Sequence, residues 1–126
     1  MNVAGGRVLV IDDDERIATL LRELLLGLGH EVSTVGNAEE IAGTVVSFRP
    51  DVVLLDLHMP GVSGFEGLEY FRADHPGLPV IVITGDTVAE VAQQSRARGA
   101  FDLLGKPFGV PALQRIVSAA MEQRRG

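Results

Sequence analysis

Apolar residues fall along this chain in two alternating rhythms. The first is a set of short strand-like runs: Val8-Leu-Val-Ile11, Val52-Val-Leu-Leu55, Val80-Ile-Val-Ile83 and Phe101-Asp-Leu-Leu104. The second is helical. Ile17, Leu20, Leu21, Leu24, Leu25 and Leu28 recur three and four residues apart, and Gly29 stops them. Glu31–Val35 reads as a shorter strand. Asn37 with Glu40 three residues on opens a helix to about Phe48. Pro50 turns the chain into a strand over Val52–Asp56. Ser63 with Glu66 caps a third helix that ends near Asp74, and Thr87 with Glu90 caps a fourth that ends near Arg98. Between them lie the turn residues His75–Pro79 and a strand over Val80–Thr84. Gly99 precedes a last strand, Phe101–Gly105. Pro111 suits the first turn of a last helix, with Leu113, Ile116, Val117 and Ala120 on one face.

The pattern is strand then helix, five times over. The central strands are apolar throughout, as strands covered on both faces must be. Right-handed crossovers then make an α/β fold, a (βα)5 doubly wound five-stranded parallel sheet. Neither a linker nor an internal repeat interrupts it. Residues 1–126 therefore read as one domain, with a core from about 7 to 122.

Composition narrows the function. Apolar residues make up 46% of the 126, which argues against disorder. There is no cysteine, so thiol chemistry and thiolate metal sites are excluded, and a cytoplasmic location fits. The first residues lack the regions of a signal peptide, and no apolar run approaches the ~20 residues that span a bilayer. A net charge of −6 disfavours direct nucleic-acid binding by this domain.

The chemistry sits where the strands end. In a parallel sheet the carboxyl ends of strands gather at one edge, and ligands bind there. Asp12-Asp13, Asp56, Thr84 and Lys106-Pro107 all occupy such ends. Three carboxylates, a hydroxyl and an ammonium suit a divalent cation and a phosphoryl group. Each element also has a plainer reading. The run Asp12–Glu15 can cap the first helix. Asp56 can be a solvated loop acid, Thr84 a β-branched strand residue and Lys106 a surface charge. Gly85 leaves room beside Thr84. The Lys106-Pro107 bond is a candidate for the cis form.

Taken together, Val8–Asp14, Asp51–Gly61, Val80–Gly85 and Lys106-Pro-Phe108 resemble the receiver domain of two-component response regulators, over nearly the whole chain from about Arg7 to Glu122. The resemblance implies the flavodoxin-like strand order 2-1-3-4-5. It implies that Asp56 accepts a phosphoryl group from a sensor histidine kinase or phosphotransfer protein, as in a phosphorelay. It implies Mg2+ (or Mn2+) bound by Asp13, Asp56 and the backbone carbonyl of His58, with Asp12 acting through metal-bound water. Thr84 and Lys106 would contact the phosphoryl group. The face built from helix four, strand five and helix five would then change and control an output partner. Homodimers of the family often use that face, though Arg96, Arg98, Arg115 and Glu122 set no register for one here. Such a protein catalyses its own phosphorylation and slow dephosphorylation and is not a conventional turnover enzyme.

Some positions depart from the family pattern. Leu103 stands where the family often has an aromatic switch residue, and it reads as a partly buried strand residue. The resemblance implies that the positions of His58 and Asp86 flank the route of the hydrolytic water and so bear on phosphoryl lifetime. The His58 imidazole can position water, bond phosphate or only fill space. His30 and His75 sit in turns with structural roles. Two other functions compete. One is a receiver-like scaffold that no longer uses phosphate, against which the Asp13, Asp56, Thr84 and Lys106 set speaks. The other is a phosphatase or phosphotransferase with an aspartyl nucleophile, whose usual second aspartate is replaced here by His58. The chain runs out at Met121–Gly126, soon after the last helix, so either a stand-alone regulator or a piece of a longer regulator or hybrid kinase is expected.

Overall fold

The computed structural model describes residues 5–57, 65–85 and 89–125. Five strands alternate with five helices: β1 (Arg7–Ile11), α1 (Glu15–Gly27), β2 (Glu31–Val35), α2 (Ile41–Phe48), β3 (Val52–Asp56), α3 (Glu66–Asp74), β4 (Val80–Thr84), α4 (Ala89–Ala97), β5 (Asp102–Gly105) and α5 (Val110–Arg125). The sheet is parallel throughout with the order 2-1-3-4-5, as the resemblance implied.

Side-chain alternation sorts the apolar strands into two cores. Val8, Val10, Val52, Leu54, Ile81 and Ile83 face Leu21 and Leu25 of α1 and Leu113, Val117 and Ala120 of α5. The neighbours Leu9, Ile11, Val53, Leu55, Val80 and Val82 face Ile41 and Val45 of α2 and Leu68 and Phe71 of α3. Both faces of β1, β3 and β4 are thus covered, which explains runs without a polar residue. Each such side chain contributes about 1.5–3 kcal/mol by leaving water. α3 comes close to β3 at Gly67, where a Cβ would stand 3.0 Å from a methyl of Leu55.

Helix ends follow the sequence signals with local adjustments. α1 ends at Leu28, and Gly29 then takes φ 94, the left-handed conformation that glycine adopts freely. Asn37 Oδ1 accepts from Glu40 N at 3.0 Å, but the turn it caps is a 3-10 turn over Ala38–Glu40, and α2 begins only at Ile41. β5 starts at Asp102, one residue later than the apolar pattern suggests, although Phe101 N already donates to Val80 O at 2.7 Å. α4 ends at Ala97, short of Arg98. Pro111 lies in the first turn of α5, as expected. Ser63 and Thr87, read as caps, lie outside the described residues.

Candidate functional site

The strand register builds the site. Ile11 pairs with Leu55, Asp56 with Ile83 and Thr84 with Gly105, so the strands end nearly level. Asp12 therefore follows β1 beside Asp56 of β3. Alternation gives Asp12 the side of Val8 and Val10, Asp56 the side of Val52 and Leu54, and Lys106 the side of Leu104. All three project toward the α1–α5 face. Lys106 N donates to Thr84 O at 2.8 Å, which holds the lysine at the end of β4 and β5. Its Nζ lies 3.9 Å from both Asp12 Oδ2 and Asp56 Oδ1. The Lys106-Pro107 bond is cis.

The acidic run Asp12–Glu15 divides between its two readings. Asp14 caps α1, its Oδ1 accepting from Arg16 N at 3.0 Å, and that bond holds its carboxyl below the ordinary value. Glu15 occupies the first turn. Asp12 is turned inward and only 2% exposed. Its Oδ1 accepts from Asp14 N at 2.9 Å, while among the described residues Oδ2 accepts no hydrogen bond. Burial raises the Asp12 pKa from 3.8 to about 6; the Asp56 charge adds to this, and the Asp14 hydrogen bond and Lys106 oppose it. Asp13 is exposed.

One carboxylate oxygen each from Asp12, Asp13 and Asp56 lies within 4.8 Å of the others. Three carboxylates thus face one ammonium. Removing two neighbouring acids from water is costly unless a cation joins them. The all-oxygen donor set, with a buried acceptor that receives no hydrogen bond from the described residues, fits a hard divalent ion such as Mg2+. Thr84 is buried at 1% exposure, and no atom of the described residues lies within 4 Å of the point where a Cβ on the exposed Gly85 would stand. A carboxylate at a strand end, with an ammonium 3.9 Å away and a threonine ending the neighbouring strand, is a set that can receive and hold a phosphoryl group. His58 and Asp86, the two positions expected to bear on phosphoryl lifetime, lie outside the described residues.

The sequence matches the response regulator receiver domain family over residues 8–118. The chain belongs to that family. Receiver domains of two-component response regulators are phosphoacceptor signalling switches, and an acidic pocket is where they hold Mg2+. The chain is 37% identical over 124 residues to the DNA-binding transcriptional regulator NtrC of Salmonella typhimurium, covering 95% of this chain and 26% of that protein. It is 33% identical over 123 residues to the DNA-binding response regulator MtrA of Mycolicibacterium smegmatis, covering 98% of this chain and 54% of that one. It thus spans about a quarter of the first relative and about half of the second. The receiver domain of NtrX from Brucella abortus superposes with a TM-score of 0.86 at 32% identity, covering 91% of this chain and 98% of that one.

Other expected positions are placed as follows. Leu103 is half-buried and packs against the α2–α3 core, so this receiver has an aliphatic residue at the usual aromatic position. His30 Nδ1 accepts from Gly6 N at 3.1 Å, and His75 Nε2 lies 3.3 Å from Tyr70 Oη. Arg96 pairs with Asp102 at 2.9 Å. Arg98, just past α4, reaches Glu69 at 3.2 Å and stacks 4.6 Å from the Phe65 ring centre, so the end of α4 is tied to both β5 and α3. Among the described residues no helix is long and apolar enough to cross a membrane.

Proposed function

We propose that this chain acts as a single receiver domain, core about 7 to 122, whose phosphoacceptor is Asp56. The observation that carries the reading is the grouping of Asp56 with Asp12, Asp13 and the Lys106 ammonium at one sheet edge. An Asp56 carboxylate oxygen attacks the phosphorus of a phosphohistidine on a partner kinase or phosphotransfer protein. A P–O bond forms, the P–N bond breaks, and the imidazole leaves with the electron pair and takes up a proton. Mg2+, when bound, supplies positive charge that lets an anionic nucleophile approach an anionic phosphoryl group.

Asp13 and Asp56 would hold that ion, with the His58 carbonyl as a further ligand and Asp12 acting through metal-bound water. Lys106 gives up part of its pairing with Asp56 to the new phosphoryl oxygens, and Thr84 donates its hydroxyl to one of them. A phosphoryl group adds about −1.5 to −2 charges, enough to bias a two-state element. The α4–β5–α5 face is the element that answers, and an output partner or a second copy reads it. His58 and Asp86 set how fast water attacks phosphorus and restores the carboxylate.

Intact-mass measurement after incubation with Mg2+ and a small phosphodonor tests this. Wild type is expected to gain one phosphoryl group and Asp56→Asn none. Gain by both variants moves the acceptor elsewhere, and gain by neither with donor or cognate kinase favours a phosphate-independent scaffold. His58→Ala is expected to change the acyl-phosphate lifetime while leaving uptake intact; an unchanged lifetime removes His58 from that role.

A further inference from the structure

At the opposite edge of the sheet, a cleft of about 300 Å3 opens between the C-terminal ends of α2 and α3 and the last turn of α5. Pro50 and Leu78, which precede β3 and β4, help line it, so it lies a strand length from Asp56, roughly 17 Å at about 3.3 Å per residue. Arg49, His75 and Arg124 stand around it, and among the described residues no carboxylate lines it. In a chain of net charge −6 this is an unusual local balance. Arg124 Nη1 donates to Gly77 O at 3.1 Å, which anchors the guanidinium and leaves its other N–H donors available. Asp51, next to Pro50, has its Oδ2 engaged by Arg7 N at 2.9 Å. Arg49 forms no ion pair with a described carboxylate.

Arg49 carries the second observation. It is the C-cap of α2 at φ 56, and among the described residues no other non-glycine has positive φ. Glycine or asparagine fills such a cap at less cost. Basic residues near helix C-termini answer the negative end of the dipole. An arginine in the last turn, with ordinary right-handed backbone, does that equally well. Dipole compensation therefore gives no reason to keep an arginine in a left-handed cap, whereas a ligand at the cleft does.

We propose that this cleft is a binding site for a small oxyanion ligand, a molecule bearing phosphate or carboxylate, held by Arg49 and Arg124 with His75 beside them. The volume is at the lower end for small-molecule pockets, enough for an anionic group and a few further atoms. Guanidinium forks match both oxyanions in geometry.

The test is an amide-shift titration of the metal-free chain at fixed ionic strength, with inorganic phosphate in one arm and succinate in the other. One arm is expected to saturate near about 1 mM, with shifts centred on Arg49, Gly77 and Arg124. Which arm saturates tells phosphate from carboxylate. Arg49→Gly removes the guanidinium while relaxing the cap, so misfolding cannot account for lost binding; about tenfold weaker binding is expected, the loss of one charge-assisted hydrogen bond. Lys106→Ala is expected to leave these shifts in place. Absence of saturation in both arms, shifts that vanish in Lys106→Ala, or wild-type binding by Arg49→Gly each overturn the proposal.

Discussion

The two edges of the sheet handle charge in opposite ways. At the carboxyl edge Asp12 and Asp56 are buried at 2% and 6% exposure, and one ammonium at 3.9 Å serves both. At the amino edge Arg49 and Arg124 are exposed, and their charges are solvated. The difference is energetic. Buried like charges store repulsion that a cation or a phosphoryl group can change by several kcal/mol, whereas solvated charges are screened and change little. A switch belongs at the first edge. At the second, an anion can dock with little effect on the sheet.

The largest test of that contrast is removal of a carboxylate from the first edge. Asp13→Ala leaves two of the three clustered carboxylates. Mg2+ affinity, measured by titration calorimetry, is expected to fall at least about tenfold, and Mg2+-dependent phosphoryl uptake to fall with it. Unchanged affinity would show that the ion, if it binds, is held elsewhere.

The next effect is on stability. Asp12 has its pKa raised from 3.8 to about 6, burial being the chief cause. The folded state therefore holds this proton more tightly than the unfolded chain. Its contribution is fully present below about pH 4 and is lost as pH rises to about 6, after which it is level. A rise from 3.8 to about 6 corresponds to about 3 kcal/mol. Metal-free Asp12→Asn is expected to lack this loss, so its advantage over wild type in urea denaturation should grow between pH 4 and 6. Saturating Mg2+ should reduce the advantage, because the ion binds the carboxylate form. A constant difference across that range would contradict the burial argument.

A smaller change comes from the ammonium. Lys106 is 28% exposed, so part of its interaction with the two carboxylates is screened. Lys106→Ala is expected to destabilise the metal-free fold by about 1–2 kcal/mol at pH 8. The loss should be smaller at pH 5, where Asp12 is mostly protonated. Equal losses at both pH values would mean the lysine acts through packing alone.

These contrasts were unequally legible in the sequence. The strands and the carboxyl-edge residues could be read because each reactive residue lies within two positions of the end of an apolar run. Even the division of Asp12 from Asp14 was within reach, since Val8, Val10 and Asp12 share one parity while Asp14 falls where an N-cap belongs. Strand order was not in the periodicity and came only from family resemblance. The amino-edge cleft was invisible, because Arg49, His75 and Arg124 lie on three separate helix ends and form no motif. The left-handed φ of Arg49 has no local signal, since Arg49-Pro50 reads simply as a turn. The 3-10 turn over Ala38–Glu40 was missed because Asn37 caps either helix type with the same bond.

The smallest effect isolates the backbone at the amino edge. Arg49→Gly removes both a charge and a left-handed non-glycine cap, while Arg49→Gln removes the charge and keeps the strained φ of 56. Both lose any dipole compensation at the end of α2, so that effect cancels between them. Glycine is expected to gain about 0.5–1 kcal/mol over glutamine, because the relief of strain exceeds the added freedom of the unfolded chain. In a domain of this size that is about 2–4 °C in melting temperature. Both variants should bind the oxyanion about tenfold more weakly, since neither carries the guanidinium. If glutamine melts as high as glycine, the cap at residue 49 is not strained, and the argument that a ligand keeps arginine there loses its energetic basis. If glycine melts higher yet both bind the anion as wild type does, the strain is real but serves no ligand, and the oxyanion site at Arg49 is overturned.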